Sequence, residues 1–343
     1  MSLKELIARL IEGEDLSRDE ARSAMSAVMG GAATPGQIGA LLVALRMKGE
    51  TPQEIAGAAL AMRDCVQKVT TDRKPLLDTC GTGGDGRGTV NISTAAALVA
   101  AGAGVAVAKH GNRSVSSRSG SADVLEALGV NLNLSSEALG HCLDEVGISF
   151  LFAPKLHTAM RHAIGPRREL GVRTIFNILG PLTNPAGAGY QVLGVYSPEL
   201  ALPLARVLQH LGTERAIVFH GHGGLDELSL SGPNLLYEVR RGWKEPRLRS
   251  LDASQIGMPR VSMAELSGGT PTENAAWLQA LLEGKVTGGA RETVVLNAAA
   301  ALVTIGHAAR MTEGIEQARE SLDSSEALKK LNHLKEFSRG FQG

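Results

Sequence analysis

The sequence predicts an α/β fold with a small N-terminal all-α domain, in which a mainly parallel central sheet is flanked by helices. Two observations lead to this prediction: capped helices fill the first 72 residues, and short β-rich runs then alternate with helical stretches. A length of 343 residues is sufficient for two domains. We expect residues 1–72, joined by helices from about 165–185, to form the helical domain and residues 73–343 to form the α/β domain.

Composition excludes several classes of protein. Lys plus Arg and Asp plus Glu both number 35, so the formal net charge is zero, whereas general nucleic-acid and anionic-membrane binders need a positive field. Only 3% of residues are aromatic, and three widely spaced cysteines build neither a disulfide framework nor a cysteine-rich zinc site. No apolar run is long enough to span a bilayer. We therefore expect a cytoplasmic protein that binds neither nucleic acid nor a membrane.

Capping boxes predict four N-terminal helices. At each predicted start a Ser or Thr is followed three residues later by Glu or Gln, and Pro occupies the first helical position of the last two helices. The third helix is apolar around much of its circumference, which indicates burial on two faces, either in a subunit interface or in the core. The pairs are Ser2 with Glu5, Ser17 with Glu20, Thr34 with Gln37 and Thr51 with Glu54, and the third helix contains Leu41, Leu42 and Leu45.

After residue 74, β-rich runs separated by helical stretches predict the parallel sheet. Ligands of such sheets bind beyond the carboxyl ends of the strands. The last part of the chain is helical again, with helices predicted at 290–305 and 313–334. The predicted strands are 76–78, 105–108, 148–152, 192–196 and 216–219.

A glycine-rich loop, DTCGTGGDGRG at 78–88, follows the first predicted strand. Its free backbone N–H groups and the helix that begins near Asn91 favour an anion. The glycines match the dinucleotide fingerprint, but the next strand ends in Lys109 and His110 instead of an acid that could bind ribose hydroxyls. No Gly-Lys-Ser/Thr follows, which excludes a Walker loop. A phosphate ligand is therefore favoured over a nicotinamide dinucleotide, and a purely structural turn is the other alternative.

Two further loops follow predicted strands. The segment KHGNRSVSSRSGSAD at 109–123 combines cations with serine hydroxyls, a mixture that suits a multiply charged phosphate. In HGHGGLDEL at 220–228, the adjacent carboxylates Asp226 and Glu227 suit Mg²⁺, which keeps waters and bridges to substrate oxygens. His220 and His222 lack a third ligand for zinc. A solvated loop is the alternative for each segment.

These three loops, with TPGQIGA at 34–40 and GVRTIFNILGPLTNP at 171–185, resemble the anthranilate phosphoribosyltransferase family over almost the whole chain. The resemblance implies a nucleoside-phosphorylase-like phosphoribosyltransferase architecture. It also implies Mg²⁺-dependent transfer of the phosphoribosyl group of phosphoribosyl pyrophosphate to the amino group of anthranilate, in tryptophan biosynthesis. Two Mg²⁺ ions per monomer and a homodimer formed through the helical domain are further expectations.

The resemblance implies roles for individual residues. His110 and Arg167 would be catalytic, with His110 a candidate proton acceptor for the attacking amine, and the planar guanidinium of Arg167 suits a carboxylate. The implied magnesium ligands are Ser93, Asp226 and Glu227, and the implied anthranilate pocket consists of Gly81, His110, Asn112 and Arg167. The residues implied to bind phosphoribosyl pyrophosphate are Gly81, Gly84, Asp85, Thr89, Asn91, Ser93, Thr94, Lys109, Asn112, Arg113, Ser117 and Ser121.

Two other functions fit parts of the pattern. A pyrimidine-nucleoside phosphorylase also cleaves at an anomeric carbon, but its signature places Lys-Ser/His before the glycine run, where this chain has DTCG at 78–81. A nucleic-acid-binding paralogue without activity should be basic overall. The balanced charge and the intact pair Asp226 and Glu227 argue against that function.

Overall fold

Four helices at the N-terminus form a bundle that follows the capping signals of the sequence. In the computed structural model, which describes residues 1–114 and 118–340, each helix begins at the predicted Ser or Thr and all four capping boxes are formed. The buried carboxylate of Glu54 accepts hydrogen bonds from the Leu16 backbone N–H at 2.9 Å and from Lys48 Nζ at 3.0 Å, and so ties the bundle together. The helices are α1 (Leu3–Ile11), α2 (Arg18–Met29), α3 (Pro35–Lys48) and α4 (Pro52–Cys65).

A seven-stranded mixed sheet forms the centre of the rest of the described chain. The strands are β1 (Leu77–Gly81), β2 (Val107–Gly111), β3 (Ile148–Phe152), β4 (Tyr190–Gly194), β5 (Arg215–His220), β6 (Asn234–Arg240) and β7 (Arg247–Leu251). Their order is β3-β2-β1-β4-β5-β6-β7. The first five strands pair in parallel, and β6 and β7 add antiparallel pairs at one edge. The carboxyl ends of the parallel strands therefore reach the same edge of the sheet.

Helices cover the sheet and extend the N-terminal bundle. An alanine-rich helix, α5 (Ile92–Gly102), follows the glycine-rich loop and is buried along almost its whole length against α13 (Gly289–Ile305). Helix α9 (Arg161–Leu170) packs on α2 and α3, and α10 (Phe176–Leu179) packs on α4. In the described residues, no helix is long and apolar enough to cross a membrane. The remaining helices are α5 (Ile92–Gly102), α6 (Ser121–Ala127), α7 (Ser136–Val146), α8 (Ala153–Leu156), α9 (Arg161–Leu170), α10 (Phe176–Leu179), α11 (Ala201–His210), α12 (Pro271–Leu282), α13 (Gly289–Ile305), α14 (Met311–Asp323) and α15 (Glu326–Gly340).

The structure departs from the sequence prediction in three elements. Strands β6 and β7 were not predicted, because β6 mixes apolar with charged residues and β7 is exposed along most of its length. The helix predicted at 313–334 is two helices, α14 and α15, which are separated at Ser325 with φ of 63°. A residue other than glycine in the left-handed region ends a regular helix.

The three leucines of α3 lie in the core rather than at a surface. Leu41, Leu42 and Leu45 are exposed by only 1%, 0% and 4%, because α3 packs against α1 and α9 on that side. The sequence left two explanations for the apolar circumference of α3, a subunit interface or the core, and for these three leucines the core is correct. The exposed side of the same helix carries Met47, with 83% of its surface accessible.

Candidate active site

The three loops singled out in the sequence meet at the carboxyl edge of the sheet. The Gly83 backbone N–H donates to Asp226 Oδ2 at 2.8 Å, and the Ser93 backbone N–H donates to Glu227 Oε1 at 2.9 Å. Lys109 Nζ of the second loop donates to the Thr79 carbonyl of the first loop and lies 3.4 Å from Ser93 Oγ, at the start of α5. The first loop thus contacts both the second and the third, although up to 143 residues separate the contacting positions.

Two glycines allow the acidic loop to approach the strand ends. Gly81 and Gly194 are partners in the β1–β4 register. A Cβ atom at Gly81 would clash with the Asp226 carboxylate, and one at Gly194 would clash with the Asp226 backbone. Glycine at both positions therefore places Asp226 directly over the ends of β1 and β4.

The adjacent carboxylates Asp226 and Glu227 are partly buried and close to a third acid. Burial raises the pKa of Asp226, and the nearby Asp85 carboxylate raises it further. Burial and the neighbouring Asp226 charge likewise raise the pKa of Glu227. Shifts of this sign mean that the site disfavours uncompensated negative charge, so a cation would be stabilised there.

Lys109 is a buried cation between the first loop and these acids. It donates to the Thr79 backbone carbonyl in the middle of β1 and to Ser93 Oγ. Burial lowers its pKa, while the carboxylates of Asp78, Glu227 and Asp226 act in the opposite direction. The position supplies a desolvated positive charge, which interacts more strongly with an anion than an exposed lysine does.

The other predicted residues of the first loop lie around this centre. The Gly84 carbonyl accepts from Arg173 Nη2 at 2.7 Å, and Asp85 Oδ1 accepts from the Arg87 backbone N–H at 3.0 Å. Thr89 forms an isolated β-bridge with Ser267.

Asn91 and Thr94 flank the start of α5. The Asn91 side chain accepts from Asn274 Nδ2 at 2.8 Å and donates to the Ser119 carbonyl at 3.3 Å. The Thr94 hydroxyl is buried, lines a small internal cavity with Lys109, and has no hydrogen-bond partner in the described residues.

The second loop is held to the start of α6. The Asn112 carbonyl accepts from Ser121 Oγ at 3.4 Å. The Arg113 guanidinium pairs with Asp123 at 3.0 Å and with Glu126 at 2.7 Å, and it stacks over the Phe152 ring. These two acids neutralise Arg113 in this conformation. Ser117 lies outside the described residues.

Arg167 and His110 have features that suit an aromatic acid. Arg167 on α9 is partly buried and stacks at 5.0 Å over the Phe176 ring, and no carboxylate of the described residues pairs with it. Burial lowers its pKa. His110 is buried, and its Nδ1 lies 3.1 Å from the Gly180 carbonyl oxygen.

Several residues that the sequence did not single out support this arrangement. The buried Asp78 carboxylate accepts from the His110 backbone N–H at 3.1 Å and from Asn184 Nδ2 at 2.8 Å. His157 Nε2 lies 3.2 Å from His110 Nε2. An acid directly after the apolar residues Leu76 and Leu77 was a signal that could have identified Asp78. The sequence carries no comparable signal for His157, which is 47 residues from its partner.

The donor set around Asp226 and Glu227 fits a magnesium ion. In the described residues, no three side chains among His, Cys, Asp and Glu converge as a metal cluster. Two carboxylates and the Ser93 hydroxyl would leave coordination positions for water and substrate oxygens, as Mg²⁺ prefers. The histidines of the same loop bond elsewhere: His220 Nδ1 contacts the Val195 carbonyl and His222 Nδ1 contacts Ser231.

The fold and this site define a glycosyl transferase. Residues 4–66 match the helical bundle domain of the glycosyl transferase family, and residues 73–328 match its α/β domain. The predicted fold class is confirmed. These matches leave the exact boundary between the two domains a prediction.

The chain belongs to the anthranilate phosphoribosyltransferase family. It is 56% identical over 336 residues to the enzyme of that name from Pelotomaculum thermopropionicum, covering 98% of this chain and 96% of the relative. A crystal structure of anthranilate phosphoribosyltransferase from Thermus thermophilus has a TM-score of 0.92 and 48% identity, covering 97% and 99% of the two chains. The Saccharomyces cerevisiae enzyme in complex with phosphoribosyl pyrophosphate (PRPP) and Mg has a TM-score of 0.90 and 29% identity, covering 99% and 98%.

Proposed function

We propose that this protein transfers the phosphoribosyl group of phosphoribosyl pyrophosphate to the amino group of anthranilate and releases pyrophosphate, in tryptophan biosynthesis. One observation carries the proposal: the buried Lys109 lies beside the glycine-rich loop, and the same molecule has a partly buried arginine, Arg167, with no acidic partner in the described residues. The names of full-length relatives at 50% identity or more agree with it.

The donor would lie across the first two loops. The backbone N–H groups of the glycine-rich loop and the start of α5 favour phosphate oxygens, and Lys109 supplies a buried positive charge. Arg113 would be available to a phosphate only if it exchanged the carboxylates of Asp123 and Glu126 for the ligand. The residues that we propose for the donor are Gly81, Gly84, Asp85, Thr89, Asn91, Ser93, Thr94, Lys109, Asn112, Arg113, Ser117 and Ser121.

Ser93, Asp226 and Glu227 would hold magnesium, two ions per monomer. The mutual repulsion of the partly buried carboxylates supports this assignment, since a divalent cation offsets it. When bound, magnesium would neutralise charge on the leaving pyrophosphate. The Gly83 and Ser93 backbone N–H groups orient the two carboxylates toward the donor site.

The acceptor would bind between α9 and the end of β2. Anthranilate is an anion, and the fork of Arg167 matches its carboxylate. His110, Gly81 and Asn112 would complete the pocket. Displacement at the anomeric carbon passes through an oxocarbenium-like state, so the protein's task is to hold the two substrates in line and to stabilise the departing charge, for which Lys109 is placed.

The test follows anthranilate fluorescence and pyrophosphate release together. We expect one pyrophosphate for each anthranilate consumed, and no reaction when the donor, anthranilate or Mg²⁺ is omitted. Consumption of anthranilate without pyrophosphate, or pyrophosphate release without anthranilate, would contradict the proposed transfer.

We further propose a homodimer that forms through the helical domain. An apolar groove between α1 and α3 supports this, because it exposes Ile11 by 68% and Met47 by 83%. The double variant Ile11→Glu, Met47→Glu should be a folded monomer by light scattering and circular dichroism. Leu248→Glu, at an exposed leucine on β7, is the matched control and should remain dimeric. A double variant that remains dimeric would place the interface elsewhere.

A cytoplasmic location is the final part of the proposal. All three cysteines are free thiols, of which Cys65 is exposed and Cys80 and Cys142 are buried. Such usage suits a reducing compartment.

A further inference from the structure

An asparagine of α12, Asn274, contacts the start of α5 from a distant part of the chain. Its Nδ2 atom donates to Asn91 Oδ1 at 2.8 Å, across a separation of 183 residues. Only 2% of the surface of Asn274 is accessible. Because a buried amide is costly unless it is hydrogen-bonded, this contact is part of the packed interior. No motif of the sequence singled out Asn274.

The segment that leads into α12 lies directly against the end of the glycine-rich loop. The Gly268 N–H donates to the Gly88 carbonyl at 2.8 Å. A Cβ atom at Gly268 would meet the Thr89 carbonyl oxygen at 2.5 Å, so glycine is needed for this approach. Residues 268–274 therefore hold this end of the loop, first through the backbone and then through the side chain of Asn274.

Backbone groups at both ends fix the direction in which the two amides point. The Gly269 N–H can only donate, so the atom that it meets at 2.7 Å is Asn274 Oδ1. The Ser119 carbonyl can only accept, so the atom that faces it at 3.3 Å is Asn91 Nδ2. The two assignments agree, because the NH₂ group of Asn274 then meets the oxygen of Asn91. The hydrogen bonds therefore run in one direction, from the Gly269 N–H to the Ser119 carbonyl.

The contact with α12 turns the Asn91 oxygen away from α5. Asn91 is the N-cap residue of this helix, where an asparagine oxygen commonly accepts from the N–H of the second or third helical residue. The Asn91 side chain makes no such bond here. The N–H of Ser93, the second helical residue, donates to Glu227 instead. The Asn91 side chain therefore leaves the start of α5 open to an anion.

We propose that Asn274 is a positioning residue for the phosphoribosyl donor. It holds the Asn91 oxygen away from the start of α5 and directs the Asn91 NH₂ group toward the donor. One hydrogen of that group bonds the Ser119 carbonyl, and the other is available to an oxygen of the donor. The inference rests on the proposed function, in which Asn91 binds phosphoribosyl pyrophosphate. Asn274 acts through Asn91 and does not itself contact the donor.

Calorimetric titration with phosphoribosyl pyrophosphate and Mg²⁺, without anthranilate, measures the effect on donor binding. Asn274→Ala removes the hydrogen bond to Asn91 and should weaken donor binding about two- to ten-fold. Thr272→Ala, at an exposed residue of the same helix, is the matched control and should bind as wild type. Unchanged donor affinity in Asn274→Ala would overturn the proposal, whereas a wild-type protein that does not bind the donor would contradict the proposed function instead.

A double-mutant cycle separates positioning from a purely structural role. If Asn274 acts through Asn91, Asn274→Ala should cause no further loss of donor affinity in the Asn91→Ala background. Losses that simply multiply in the double variant would show that Asn274 supports the site by another route, and would overturn the proposal.

Asn274→Asp provides the same test if the alanine variant does not fold. The carboxylate keeps the size of the side chain and still accepts from the Gly269 N–H, but in its ionised form it has no hydrogen to donate to Asn91. Donor binding at pH 8 should weaken more in the wild-type background than in the Asn91→Ala background. An equal loss in both backgrounds would mean that the new charge repels the donor directly, and would overturn the proposal.

Discussion

Replacing Arg167 tests the acceptor pocket most sharply, because the structure leaves this guanidinium partly buried and without a carboxylate partner in the described residues. A hydrogen bond to a charged group contributes about 1.5–3 kcal/mol. Arg167→Ala should therefore weaken anthranilate binding by about ten- to a hundred-fold. Arg167→Lys keeps the charge but loses the planar fork, so it should recover only part of that affinity.

The assay measures the Michaelis constants of both substrates by anthranilate fluorescence. The donor constant should change little in either Arg167 variant, because the phosphate loops are separate from α9. Arg168→Ala is the matched control: this arginine is the next residue of α9 and is exposed, so both constants should match the wild type. If the donor constant rises and the anthranilate constant does not, Arg167 belongs to the phosphate site and the proposed acceptor pocket is wrong.

Four further variants test other parts of the structure. Gly81→Ala should lower turnover by about 10²-fold, because its Cβ would displace the Asp226 carboxylate; a turnover near wild type in the fluorescence assay would contradict the close approach. Asp226→Asn and Glu227→Gln should lose turnover without a lower melting temperature, since each removes one of two repelling carboxylates; normal turnover at limiting Mg²⁺ would exclude them as metal ligands. Leu42→Ala should cost about 2–5 kcal/mol in urea unfolding, because the side chain is fully buried; an unchanged midpoint would show that Leu42 contributes little to the core.

Elements with strong local signals were predictable from the sequence. The capping boxes at Ser2, Ser17, Thr34 and Thr51 fix helix starts through contacts only three residues apart, and all four are formed. The strand predicted at 148–152 matches β3. The antiparallel strands β6 and β7 lack such signals, since partly exposed edge strands need no continuous apolar run.

The site was predictable as a set of loops but not as a set of contacts. The strand order brings the glycine-rich loop close to Asp226 and Glu227. The sequence could predict that these loops share one edge of the sheet, because parallel strands end at the same edge. The sequence could not reveal that two acids of α6 pair with Arg113, because that depends on how the second loop folds back. The contact between His110 and His157 depends in the same way on the β2–β3 pairing.

The central claim is that one C–N bond forms between anthranilate and the anomeric carbon of the donor while pyrophosphate leaves. NMR of the reaction with ¹⁵N-anthranilate, phosphoribosyl pyrophosphate and Mg²⁺ measures both products in one sample. We expect a ¹⁵N resonance coupled to the anomeric position and one pyrophosphate for each molecule of product. A ribosyl phosphate product with unchanged anthranilate, as a phosphorylase would give, would contradict it.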